Sequence, residues 1–197
     1  MDELMSPVMI PSEIFDDLAR DRILFLKSEI TVNSSTELVA NLLLLEKISA
    51  TEEIVVYINS PGGDLGGLMS IYDAFQSIQC PVKTVCVGGA YSAAAVLLAA
   101  GSKGLRFAYP NSKVMIHDIQ LADLSGSRSE IEKESRLIKQ DSSSMMEIIA
   151  RHTGQSLRKI KRDVKTDKYF TPKEALQYGL IDEIVKYSKE IPELRKT

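Results

Sequence analysis

Residues 87–101 read VGGAYSAAAVLLAAG, inside an uncharged run of 19 residues that spans 84–102. A membrane helix needs roughly 20 apolar residues in succession, so the reading of this run decides what kind of molecule the chain makes. Its pattern changes at Gly88-Gly89. Upstream, Thr-Val-Cys-Val is rich in β-branched residues, whereas downstream Ser-Ala-Ala-Ala-Val-Leu-Leu-Ala-Ala is built mostly of good helix formers. One continuous membrane helix does not account for that change. The run is read instead as a buried strand, a tight turn at the glycines and a buried helix headed by Ser92.

The same alternation continues on both sides. Strand-like runs fall at 22–26 (RILFL), 54–58 (IVVYI), 84–87 (TVCV), 114–116 (VMI) and 181–185 (IDEIV). Between them, Leu38, Leu42 and Leu45 recur at helical spacing over 36–48, after a capping pair Ser34-Ser35, and a second helix is expected over 65–78. In 171–179 (TPKEALQYG), Thr171 can cap, Pro172 suits the first turn, Glu174 completes a capping box and Gly179 ends the helix. Strands alternating with helices predict an α/β fold with mostly parallel strands. The stretch 128–151 has no strand signal and predicts one long helix. Its apolar positions, among them Ile131, Leu137, Met145 and Ile149, suit either the core or a second subunit.

Composition narrows the function. With 197 residues, 44% hydrophobic, 26% charged and a net charge of −3, the chain can build one domain with a substantial core and has no basic surface for nucleic acid. The first residues, MDELMSPVMIPSE, are acidic and lack the basic region and apolar core of a secretory signal, so a cytoplasmic location is expected. Cys80 and Cys86 form no C-x-x-C pair and read as two buried thiols. The last dozen residues read as a loose tail, about 188–197.

With only His117 and His152, a metal site built on several imidazoles is not available, and neither H-E-x-x-H nor a phosphate loop is present. Serine, histidine and acid remain. A serine hydroxyl becomes a useful nucleophile when an imidazole takes its proton and a carboxylate holds that imidazole. Ser92 heads a helix, where backbone amides and the helix dipole favour a developing oxyanion, although a serine that merely caps a buried helix fits the same setting. His117 closes the strand VMI, at a sheet end of the kind where open α/β sheets bind ligands. His152, near a helix C-terminus, suits a charge that complements the helix dipole. For the acid, spacing offers no choice among Asp163, Asp167 and Asp182. Gly62-Gly63, after the strand 54–58, permit positive φ and close backbone approach of an extended ligand, and a plain strand-to-helix turn would look the same.

Taken in order, INSPGG (58–63), SIYD (70–73), G-x-x-x-S (88–92), LAAG (98–101), RFAYPNSKVMIH (106–117), HTGQS (152–156) and TDKYFTPKEALQYGLID (166–182) closely resemble the proteolytic subunit of Clp protease, over about 13–187. The resemblance implies a ClpP/crotonase-like α/β fold with a long protruding handle over about 118–151 and a flexible axial segment over 1–12. It implies a serine endopeptidase of a self-compartmentalised protease with two stacked seven-membered rings. Unfolded polypeptide is its substrate, and ATP is used by a partner AAA+ unfoldase rather than by this chain, which takes no cofactor or metal. Carried over by position, Ser92 is the nucleophile, His117 the base and Asp167 the acid. Gly63 and Ala93 supply the oxyanion hole, and Gly62, Leu65 and Gln120 contact substrate.

The chain also departs from the family. Tyr91 and Ala93 stand where alanine and methionine are usual, which predicts an altered pocket for the residue preceding the cut. After His117 the usual Gln-Pro and glycine pair are replaced by Asp118-Ile-Gln-Leu-Ala-Asp123. These departures keep two rival readings: a weakly active or structural paralogue that needs a partner subunit in a mixed ring, and an acyl-CoA enzyme of the crotonase type.

Overall fold

The computed structural model describes residues 12–119 and 126–187. Expectations for the axial segment before Ser12, for Gln120 and for the tail 188–197 fall outside the described residues. In chain order the elements are α1 (Ser12–Arg20), β1 (Ile23–Lys27), α2 (Val32–Ile48), β2 (Ile54–Ser60), α3 (Leu65–Ser77), β3 (Val82–Tyr91), α4 (Ala93–Ala99), β4 (Arg106–Ala108) and β5 (Lys113–Ile116). They continue with α5 (Arg128–Thr153), α6 (Leu157–Asp163), β6 (Lys168–Phe170), α7 (Pro172–Tyr178) and β7 (Glu183–Ile184).

Local chemistry sets the helix ends. α7 starts as its sequence predicts: the Thr171 hydroxyl accepts from the Glu174 N–H, the Glu174 carboxylate takes the Thr171 N–H, and Gly179 closes the helix at φ 89°. α2 starts earlier than expected. Its cap is Thr31, which accepts from the Ser34 N–H while its own N–H donates to Ser34 Oγ, so Ser34 completes a capping box instead of serving as the cap.

Strands β1, β2, β3, β4 and β7 lie side by side in that order and all run parallel, which is the predicted α/β class. The 84–102 run differs from expectation in one respect. There is no tight turn at Gly88-Gly89, because β3 continues through both glycines to Tyr91. Gly88, at φ 76°, kinks the strand. Before the kink Thr84, Val85 and Cys86 pair with β4, and after it Gly89, Ala90 and Tyr91 pair with β5. A left-handed residue re-aims the strand without ending it, since its backbone can still pair on both sides. The sharp turn comes at Ser92.

Every residue of α4 is buried, and this short helix sits inside a single apolar cluster with the inward faces of β1, β2 and β3 and of helices α2 and α3. α5 divides in two. Met145, Met146, Ile148 and Ile149 enter the core, whereas the first half is exposed or half-buried, with Leu137 52% accessible. No helix of the described residues is long and apolar enough to cross a membrane.

Candidate active site

Ser92 joins β3 to α4 at φ 55° and ψ −123°. A side chain in that region costs about 1–3 kcal/mol and persists only where its surroundings hold it there. Here the Ser92 N–H donates to the Met115 carbonyl at 2.8 Å, and the Ser92 carbonyl accepts from Ala95 at 3.0 Å. Gly62 packs against the turn so closely that a Cβ there would lie 2.7 Å from the Tyr91 carbonyl oxygen and 2.8 Å from Ser92 Cβ. The strand end and the missing Cβ of Gly62 together lift the Ser92 hydroxyl out of the backbone path.

β5 brings the histidine. It pairs with β3 in parallel, Tyr91 opposite Met115, and with β6 antiparallel, Ile116 opposite Lys168. One step beyond that ladder, the antiparallel register sets His117 across from Asp167. His117 Nε2 lies 2.8 Å from Ser92 Oγ, and His117 Nδ1 lies 3.3 Å from Asp167 Oδ1. With a proton on Nδ1 facing the carboxylate, Nε2 is the acceptor for the hydroxyl. Such an array can move a proton from serine to imidazole and hold the imidazolium that forms.

The other two acids are committed elsewhere. Asp182 is held by Arg106 through Nη2 at 2.5 Å and Nε at 2.7 Å and accepts the Gly104 N–H. Burial opposes its charge, but Arg106 outweighs burial and keeps its carboxyl below the usual range. Asp163 is gripped by Lys159, Arg162 and Lys168. Of the three acids that spacing left open, pairing register brings Asp167 to His117.

His152 lies half-buried in the last turn of α5. Its Nε2 stands 3.2 Å from the Tyr72 hydroxyl, and burial first, then Arg106 and Arg151, pushes its titration below the ordinary imidazole value, which works against the helix-end charge expected of it. Cys86 is buried, and burial pushes its thiol up to about 11 against a small opposing bond from Ser112, so it is no thiolate nucleophile at neutral pH.

A groove of about 610 Å³ opens at Ser92, lined by Gly62, Gly63, Leu65, Ala93, His117 and Met145 among others. Ile30 bridges Gly63 from one side: its N–H donates to the Gly62 carbonyl and its carbonyl accepts from Asp64, both at 2.8 Å. In a parallel bridge of this kind the N–H of Gly63 itself faces the opposite way, toward the groove. Ala93 is the first residue of α4, where a backbone N–H has no acceptor one turn earlier. Gly63 and Ala93, the two residues expected to supply oxyanion amides, thus both line the groove with Ser92. Tyr91 is not among the lining residues. Its ring covers Gly89 and meets Tyr169 edge-on at 6.3 Å, so of the two departures flanking Ser92 only Ala93 borders the groove. Sequence reasoning missed Glu29 and Met145, which also line it. Both come from elements distant along the chain, with no local motif to mark them. Among the described residues no group of three or more His, Cys, Asp or Glu is placed to hold a metal ion.

Comparison with known proteins identifies a family. The Clp protease family profile matches residues 9–188. The chain is 41% identical over 175 residues to ATP-dependent Clp protease proteolytic subunit 1 of Thermobifida fusca, covering 89% of this chain and 79% of that protein. It is 41% identical over 178 residues to proteolytic subunit 2 of Corynebacterium jeikeium, covering 90% and 85%. A 38% match over 179 residues to proteolytic subunit 1 of Bifidobacterium longum covers 91% and 77%. On the profile and on these relatives, the chain belongs to the Clp protease family.

Proposed function

We propose that the chain is a serine endopeptidase subunit that cuts unfolded polypeptides with Ser92 as nucleophile, His117 as general base and acid, and Asp167 as the orienting carboxylate. The observation that carries this reading is the succession of Ser92, His117 and Asp167 side chains at the mouth of a groove, with 2.8 Å from Ser92 Oγ to His117 Nε2 and 3.3 Å from His117 Nδ1 to Asp167 Oδ1. A peptide lies extended along Gly62 to Leu65, adding a strand to the edge that Ile30 leaves open. Ser92 attacks the scissile carbonyl as His117 accepts its proton, and the Gly63 and Ala93 amides receive the oxyanion. His117 then protonates the leaving amine, and water, deprotonated by His117, releases the acyl group from Ser92. No cofactor enters these steps. ATP is consumed by a partner AAA+ unfoldase, and the subunit works in the cytoplasm within two stacked heptamers, formed by itself or with a paralogue, whose rings meet through the first half of α5.

Ser92→Ala tests this. Cleavage of a fluorogenic peptide should fall on the order of 10⁴-fold or more with particle mass unchanged, and unaltered cleavage overturns the mechanism. One observation favours the structural-paralogue reading: Asp167 is 48% accessible and sits at 3.3 Å, longer than a strong charge-assisted bond. Assaying the chain alone and mixed with a paralogue separates the two, since a structural subunit gains its cleavage only in the mixture and keeps it as Ser92→Ala.

A further inference from the structure

Asp163, the last residue of α6, has a side chain only 5% accessible, yet three cations and a hydroxyl converge on it. Lys168 Nζ lies 2.9 Å from Oδ2, Lys159 Nζ 3.3 Å from the same oxygen and Arg162 Nε 3.2 Å from Oδ1. The Tyr178 hydroxyl donates to Oδ2 at 2.9 Å, and its ring packs on Phe170 of β6 at 4.8 Å. One buried carboxylate thus joins α6, β6 and α7.

The segment tied down in this way is the one that carries Asp167. It leaves α6 at Val164, whose carbonyl accepts the Asp118 N–H at 2.8 Å, and enters β6 at Lys168, opposite Ile116. Both attachments lie one residue from His117 in the sequence, one on each side. Asp167 is therefore offered to His117 by a short closed loop whose far end is fastened to Asp163 through Lys168. β6 is three residues long and its one strand partner among the described residues is β5, so ladder hydrogen bonds alone give this end little stiffness.

We propose that Asp163 is a positioning residue: through Lys168 it holds the loop that presents Asp167 to His117. The proposal rests on the Ser92, His117, Asp167 reading above. A misplacement of about 1 Å in such an array can cost on the order of 100-fold in rate.

Lys168→Met, Lys168→Arg and Asp163→Asn in the full-length assembled protein test it, with Ser92→Ala in parallel. Two readouts are needed: kcat and KM for a fluorogenic peptide, and the NMR signal of the His117 Nδ1 proton, assigned against the chain's other histidine. Lys168→Met should lower kcat about 10- to 100-fold with KM nearly unchanged. It should also weaken the Nδ1 proton signal or lose it to solvent exchange, since Asp167 no longer holds that proton. Lys168→Arg should restore both. An Nδ1 signal unchanged in Lys168→Met, with only thermal stability reduced, overturns the proposal. Lys168 reaches solvent, so its variants keep the core and give an answer where Asp163→Asn fails to fold. The NMR signal needs no turnover: unchanged cleavage by Ser92→Ala would sink the triad reading, whereas an unmoved Nδ1 signal sinks the positioning role alone.

Discussion

Ser92 keeps a left-handed backbone that glycine adopts freely and other residues adopt at a cost. Ser92→Gly should therefore be more stable than Ser92→Ala by about 1 kcal/mol, read from thermal or urea unfolding, although both lack the hydroxyl. Equal stabilities would mean that the turn is not strained. Asp163 makes a second prediction at this scale. Burial works against its charge, but Lys168, Tyr178, Lys159 and Arg162 together hold its carboxyl far below the ordinary range. A depressed folded-state value means the unfolded chain binds the proton first as pH falls, so the stabilisation is complete above about pH 4–5 and is lost below it. Asp163→Asn should cost about 3–5 kcal/mol at pH 7 because three cations lose their counter-charge. Its deficit relative to the unmutated chain should stay level between pH 8 and 5 and shrink in more acidic solution, and a deficit that grows toward low pH contradicts the pairing. The sequence made Ser92 and His117 candidates. Asp163, Asp167 and Asp182 were indistinguishable in it, because what separates them is which cation or imidazole each meets across the fold.

Elements with strong local signals were the ones legible in advance. The α7 capping box was read residue by residue, and Thr171→Ala should cost about 1 kcal/mol in denaturant unfolding while leaving the groove unchanged. β4 and β6 escaped notice, since three residues show no period, and β6 is a strand only because β5 pairs with it. The Gly88-Gly89 pair was misread for a related reason. Two glycines mark a break in local propensity, but whether the chain turns or merely kinks depends on β4 and β5 offering successive partners to β3. Gly62 shows the converse: its identity is obvious in the sequence and its reason is tertiary, the approach of the Tyr91-Ser92 backbone. Gly62→Ala should lower peptide cleavage more than tenfold by displacing that turn with modest loss of secondary structure by circular dichroism. Retained activity would show that the contact is dispensable.

For the whole molecule, α5 separates two kinds of burial. Ile149, 1% accessible, belongs to the core, whereas Leu137 is half exposed on the first half of the helix. Ile149→Asp should abolish cooperative unfolding, because it places an unpaired charge among apolar side chains. Leu137→Asp should leave the subunit folded and, under the proposed ring pairing, lower the particle mass measured by light scattering. An unchanged mass counts against α5 as the contact between rings. The alternation of strands and helices, the burial of most of the 84–102 run and the candidacy of Ser92 and His117 follow from the amino-acid order, because hydrophobic period, capping and β-branching act between residues close together in the chain. The contact of His152 with Tyr72, the turn at Ser92 and the approach of Asp167 to His117 were decided only by the tertiary structure. Each depends on contacts between segments far apart in sequence, and above all on the antiparallel register of β5 and β6, which sets His117 across from Asp167.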